Sequence, residues 1–387
     1  MARIALKGGQ ILAQGGTFVS GTVLIEGTKI TGIISDNLIP DDAILLDVSG
    51  SIVSPGFIDT HVHGGGGHNF MEATREAYSA ISDHMVRGGV TSCLATTTSV
   101  SLPNLIKTLE YASFMTQHPI PNNVEILGIH MEGPYLNPLH RGVHIAEHIR
   151  EAEITELEQI YLAQASALRV VTLAPEMPFG LETTRFFAER GIGVSIGHTG
   201  ATYEQVKTGL ANGACRGTHV FNAMPPIHHR KPGPIPALFE DQNATLEFIV
   251  DGHHVHPSVV KMAVQEIGPS RGILITDCTD VAGLGEGVYT RWEGTEVRIE
   301  EGQSRTASGS LAGSVLRMDQ GVKNLVEKVE LPIGQALLMA TENPAKSIGV
   351  YKKKGSISPG KDADIVVLNG DLSIGFTMIK GQIVYSE

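Results

Sequence analysis

FIDTHVH at 57–63, TSCLATTT at 91–98, EILGIHMEG at 125–133, LRVVTLAPE at 168–176, GVSIGHTG at 193–200, CRGTHVFN at 215–222, LEFIVDGHH at 246–254 and GILITDCTD at 272–280 share one pattern. Each is a short apolar run that closes on small, polar or metal-binding residues, and most are followed by an amphipathic stretch of helical length. Strands alternating with helices make parallel βαβ units. Eight of them within about 300 residues suit a closed α/β architecture, a (β/α)8 TIM-like barrel, better than an open sheet. Such barrels build their active sites from the C-terminal strand ends, and there this sequence carries His61, His63, Glu132, His198, His219, His254 and Asp277. The competing doubly wound sheet lacks its signature, because no G-x-G-x-x-G follows the first strand. GGGG at 64–67 has no phosphate-loop Lys-Ser/Thr and reads as a flexible loop.

The flanks have a different texture. Residues 1–54 read as short alternating strands (RIALKGG, GTVLIEGTKITGI, AILLDVSGSIVSP) between Gly, Asp and Asn turns, and residues 355–387 repeat it. The expectation is a small β-sandwich domain formed by 1–54 and 355–387 together, flanking a barrel over 55–354.

The chain of 387 residues is 42% hydrophobic and 18% charged, enough for one large core plus an accessory unit, which argues against disorder. A formal net charge of -12 argues against nucleic acid or an anionic membrane surface as partner, since both require a basic footprint. Cys93, Cys215 and Cys278 are widely spaced with no CxxC, so neither disulfides nor a thiolate metal site is expected, and a reducing compartment fits. The N-terminal apolar run breaks at Lys7, Gly8 and Gly9, too short for a signal segment, and the protein is expected in the cytoplasm. The sixteen histidines cluster, as His61 with His63, His228 with His229, and His253, His254 and His256 together.

Alternation along a strand points His61 and His63 to the same side, where one metal could be gripped by both. Glu132, His198 and His219 add three further donors from three separate strand ends. Two histidines plus a carboxylate, completed by water, is the usual catalytic zinc set. For any one of these residues a satisfied core side chain is the commoner outcome; for the whole set at consecutive strand ends it is not. Asp277 ends the eighth run, where a carboxylate either caps a turn or serves as proton acceptor and donor beside a metal. HHRK at 228–231 is a basic run in an acidic chain, either a solvated patch or a phosphate contact through Arg230.

These residues carry a resemblance to the amidohydrolase superfamily, and within it to the branch that deacetylates N-acetylated amino-sugar 6-phosphates. Its carriers are PGFIDTHVHG at 55–64, HMEGPYLNP at 130–138, GHT at 197–199, THVFNAMPP at 218–226, DGHHV at 251–255, TDCTDVAG at 276–283 and LAGSVLRMDQGVKN at 311–324. The resemblance implies a hydrolase whose principal divalent metal is held by Glu132, His198 and His219, with zinc expected and iron, manganese or cobalt as the other candidates. It further implies Asp277 as general base and acid, His144 polarising the scissile carbonyl, and Asn222, Ala223, His254 and Leu311 contacting substrate. Arg230 would reach into the neighbouring subunit of a homodimer. His61 and His63, which only some members have, would allow a second metal bridged by Glu132. The alternatives are the galacto epimer of the same substrate, another amidase activity, and a non-catalytic sugar-phosphate sensor.

Overall fold

In the computed structural model, which describes residues 3–164 and 166–387, the eight apolar runs become eight strands. They are Phe57–Val62 (β1), Val90–Thr96 (β2), Glu125–Glu132 (β3), Leu168–Leu173 (β4), Gly193–Ile196 (β5), Ala214–Gly217 (β6), Thr245–Ile249 (β7) and Gly272–Ile275 (β8). Each pairs in parallel with the next in chain order. The seam between the last strand and the first is bridged just past β8, where Asp277 N–H donates to the His61 carbonyl (2.9 Å) and His63 N–H to the Cys278 carbonyl (2.8 Å). All seven residues of β2 are buried. Its two faces meet the barrel interior and the helical layer, which explains why these runs show no polar alternation.

One helix follows each strand: Arg75–Val86 (α1), Leu102–Gln117 (α2), Ile154–Gln164 (α3), Gly180–Ala188 (α4), Tyr203–Ala211 (α5), Pro234–Glu240 (α6), Pro257–Ile267 (α7) and Met318–Glu327 (α8). Local chemistry starts them. The Thr74 hydroxyl accepts from Ala77 N–H, and Thr202 forms a reciprocal capping box with Gln205. On α8 the buried residues Met318, Gly321, Val322 and Leu325 make a stripe at helical spacing that packs inward. Phe57, Phe187 and Phe248 are wholly buried, and truncating one to alanine would cost about 3–5 kcal/mol.

The termini do share a sheet. Ile52–Pro55 pairs antiparallel with Ile365–Leu368, in a six-stranded sheet that also holds Gln10–Leu12 and Gln382–Ser386. A four-stranded sheet of N-terminal segments faces it across Leu6, Val23, Ile25, Val53, Ile365 and Met378. No helix is long and apolar enough to cross a membrane among the described residues.

Two features depart from the sequence reading. GGGG at 64–67 is a tight hairpin, not a free loop: Gly64–Gly65 pairs with His68–Asn69, and Gly66 and Gly67 donate to the Ala282 and Asp280 carbonyls (2.8 Å each). A Cβ on Gly64 would sit 2.2 Å from the His68 carbonyl oxygen, so close packing accounts for that glycine. Between β8 and α8 the chain also inserts a three-stranded antiparallel sheet, Gly287–Thr290 (β9), Glu296–Glu300 (β10) and Gln303–Thr306 (β11). Its signal in the sequence was the alternation of apolar Val297 and Ile299 with charged residues in EVRIE, and the structure buries both.

Candidate active site

The strand ends turn their polar side chains toward one point. His198, His219 and Asp277 each take a left-handed backbone (φ 47°, 27° and 50°), uncommon for residues with a Cβ and concentrated at functional sites. Glu132, 2% exposed, is the hub. Its Oε1 lies 3.3 Å from His61 Nε2, 3.3 Å from His198 Nε2 and 3.2 Å from His219 Nε2. Its Oε2 lies 3.2 Å from both His63 Nε2 and His144 Nε2. Asp277 Oδ1 lies 3.3 Å from His63 Nε2 and 3.6 Å from His61 Nε2.

The hydrogen-bond partners fix which imidazole nitrogens carry protons. His61 Nδ1 lies 3.0 Å from the Glu247 carboxylate, which Arg216 holds from the other side at 2.8 Å. A carboxylate only accepts, so His61 donates through Nδ1 and presents a lone pair at Nε2, a buried atom without a hydrogen-bond partner among the described residues. His198 Nδ1 faces the His140 carbonyl (2.9 Å), so its Nε2 is likewise a lone pair, aimed at Glu132 and 3.1 Å from His219 Nε2. Lone pairs and carboxylate oxygens therefore converge with too few protons between them, the arrangement a cation resolves. Burial alone would lower the pKa values of His61 and His63, yet Glu132 and Asp277 raise both: the centre demands positive charge. The donor set of imidazole nitrogens and carboxylate oxygens fits a divalent metal.

His144 has the opposite tautomer. Its Nδ1 accepts from Ser99 N–H (3.2 Å), which leaves the proton on Nε2, pointing into the site. Burial lowers its pKa to about 4, so it is a neutral donor near pH 7.

One cleft is lined by His63, Glu132, His144, His198, His219, Asn222, Ala223, His254, Asp277 and Leu311. Of the residues marked in the sequence, His61 lies fully buried beneath it. Arg230 stands apart in the exposed turn around His228–Lys231, its Nη1 2.7 Å from His229 Nε2. Cys278 faces away from the cleft, its Sγ donating to the Leu316 carbonyl (2.7 Å), and all three cysteines are free. Sequence reasoning passed over Asp59, Arg216 and Glu247. All three are charged residues inside apolar strand runs and at most 1% exposed, and such charges are rare without a partner. That was the available signal. Burial pushes Asp59 up to about 7, and Thr276 Oγ1 donates to it at 2.5 Å.

An eight-stranded barrel with histidines and carboxylates gathered at the C-terminal strand ends defines a metal-dependent hydrolase. Residues 52–384 match the model of the amidohydrolase family, and the chain belongs to that family. Within it the chain is 39% identical over 331 residues to an N-acetylglucosamine-6-phosphate deacetylase of Vibrio furnissii, covering 86% of this chain and 82% of the relative. It is 38% identical over 332 residues to an N-acetylgalactosamine-6-phosphate deacetylase of Escherichia coli O157:H7, covering 86% and 87%. Among solved structures, a mutant N-acetyl-D-glucosamine-6-phosphate deacetylase from Mycobacterium smegmatis in complex with N-acetyl-D-glucosamine 6-phosphate superposes with a TM-score of 0.93 at 32% identity over 100% of both chains.

Proposed function

We propose that this protein hydrolyses N-acetyl-D-glucosamine 6-phosphate to D-glucosamine 6-phosphate and acetate. The observation that carries the reading is the pairing of two opposite devices in one cleft: lone pairs converging on Glu132, and a neutral His144 Nε2–H beside them. The substrate itself rests on the relatives' names.

Glu132, His198 and His219 would hold the principal metal, with His61 and His63 beside them for a second ion. Zinc is the expected metal, and its Lewis acidity would activate water and polarise an amide carbonyl. Asp277 accepts the proton of the attacking water as its oxygen adds to the acetamide carbon. His144 donates its Nε2–H to the carbonyl oxygen as negative charge grows there. Asp277 then delivers its proton to the departing nitrogen, and the C–N bond breaks to give acetate and the free amine. Asn222, Ala223, His254 and Leu311 line the cleft and would position the sugar phosphate. Arg230, outside its own cleft, would serve the neighbouring site of a homodimer. The same reading takes 1–54 with 355–387 as the β unit, 55–354 as the hydrolase, and the cytoplasm as its compartment.

The test is acetate release from N-acetylglucosamine 6-phosphate, its galacto epimer and unphosphorylated N-acetylglucosamine, with metal content measured on the same sample. Turnover confined to the phosphorylated gluco sugar is expected. Faster turnover of the galacto epimer would move the substrate to that named for the E. coli relative, and no release from any of them with metal bound would sink the proposal.

A further inference from the structure

The inserted sheet carries a second polar pair into the cleft. The turn between β9 and β10 holds Arg291 and Glu293, both lining the same cleft as the metal cluster. Their side chains are only 7% and 8% exposed. Arg291 Nη1 approaches Glu293 Oε1 at 3.0 Å but without the alignment of a hydrogen bond, so Nη1 is unpartnered among the described residues, as is Glu293 Oε2. Buried charged groups left with open valences are costly unless something arrives to fill them. The turn is held in place by the segment just past β8. Asp280, three residues past Asp277, accepts from Trp292 N–H (2.6 Å) and Arg291 Nε (3.3 Å), and Arg291 N–H closes the turn on the Thr295 carbonyl (2.9 Å). The pair is thus fixed relative to Asp277 before any ligand enters.

We infer that Arg291 and Glu293 form the subsite that reads the vicinal 3- and 4-hydroxyls of a hexosamine 6-phosphate. A carboxylate oxygen that accepts, beside a guanidinium N–H that donates, complements two adjacent hydroxyls, each of which both donates and accepts. The inference rests on the proposed substrate. With the acetamide at the metal cluster and the phosphate engaged elsewhere, C3 and C4 bear the one pair of adjacent free hydroxyls on the ring. The two candidate epimers differ at C4, so this pair would set the epimer preference.

The experiment measures kcat/KM of the metal-loaded enzyme for both epimeric 6-phosphates, in the wild type, Glu293→Gln and Arg291→Lys, with bound metal quantified. Glu293→Gln should lower kcat/KM for the preferred epimer about 10- to 100-fold and shrink the epimer ratio by a similar factor at unchanged metal content. Arg291→Lys, which keeps the charge but loses the planar fork, should move the ratio the same way. Equal loss on both epimers, or no loss, would overturn the inference. Trp292, the single tryptophan, separates this outcome from failure of the deacetylase reading. Its emission should respond to N-acetylglucosamine 6-phosphate in Asp277→Asn protein, and adding Glu293→Gln should weaken that binding at least tenfold. A wild type that releases no acetate while Trp292 reports this weakening loses the activity and keeps the subsite. Absence of both turnover and a Trp292 response overturns the subsite as well.

Discussion

Two places among the described residues gather buried or half-buried carboxylates, and they solve the resulting repulsion differently. At the opening of β3, Glu125 meets Asp362 and Asp364 from the C-terminal segment, as tightly grouped as the donors at the barrel mouth. There the chain supplies its own cation. Lys354, 3% exposed, lies 2.8 Å from Glu125 and 3.3 Å from Asp362 and hydrogen-bonds Asp364, while Lys380 and Lys29 reach Glu125 and Asp362 from outside. At the barrel mouth Arg216 is committed to Glu247, and the ion-pair partners of Glu132 and Asp277 among the described residues are all imidazoles. A cluster of carboxylates is therefore no sign of a metal by itself. The sign is a cluster with no internal cation and with its histidine lone pairs turned inward by other hydrogen bonds. The two clusters also sit at opposite ends of β3, Glu125 at its start and Glu132 at its finish, matching the division of such barrels into a structural and a catalytic face.

The contrast breaks most visibly at Asp277. Replacing it with asparagine should leave the donors of Glu132, His198 and His219 intact, so bound metal stays while acetate release falls about 10²- to 10⁴-fold. Near-normal turnover would mean the mouth needs no base, and the assignment would fail. At the other cluster the expected loss is of stability rather than rate. Lys354→Met removes the cation that three carboxylates share, leaving Glu125 and Asp362 only the partly exposed Lys380 and Lys29 and Asp364 no side-chain cation among the described residues. It should cost about 3–5 kcal/mol in urea unfolding, with the surviving folded protein as active as before. A variant as stable as the parent would show that Lys29 and Lys380 suffice. A smaller effect is expected from Glu247→Gln. The amide can offer His61 Nδ1 an N–H instead of accepting one, so the Nε2 lone pair is no longer guaranteed. Metal affinity by competition with a chelator should fall about 10- to 100-fold, and an unchanged affinity would remove His61 from the metal set.

Much of this was legible in the chain because barrel strands announce themselves twice, by apolar runs and by the chemistry at their ends. His61, His63, Glu132, His198, His219 and Asp277 all follow from counting strands, and the structure brings their donor atoms together. What the sequence withheld depends on pairing across distance. Glu247 shows only as an unexplained charge in an apolar run until Arg216 and His61 close on it from other strands. The GGGG segment reads as loose until its neighbours at His68, Asp280 and Ala282 are known. Arg291 and Glu293 lie in an insertion that no βα count anticipates, and nothing local in RWEG points them at a cleft.

The smallest effect tests the Lys354 cluster through pH. Burial alone would raise Glu125, but Lys354 and Lys380 reverse this and hold it below the ordinary range; Asp362 is likewise pulled down against burial by Lys29 and Lys354. Groups depressed in the fold contribute stability that is complete above their unfolded values, near pH 4, and is lost as pH falls through the folded ones. Asp364 runs the other way. Burial outweighs Lys354 and raises it, so it takes up its proton earlier and loosens its hold on the lysine as the solution acidifies. Both trends weaken the cluster's dependence on Lys354 at low pH. The stability gap between wild type and Lys354→Met should therefore be widest near neutrality and narrow toward about pH 3.5, read as the difference between their urea midpoints at each pH. A gap constant over that range would mean that packing of the lysine stem, rather than its charge, holds the cluster together.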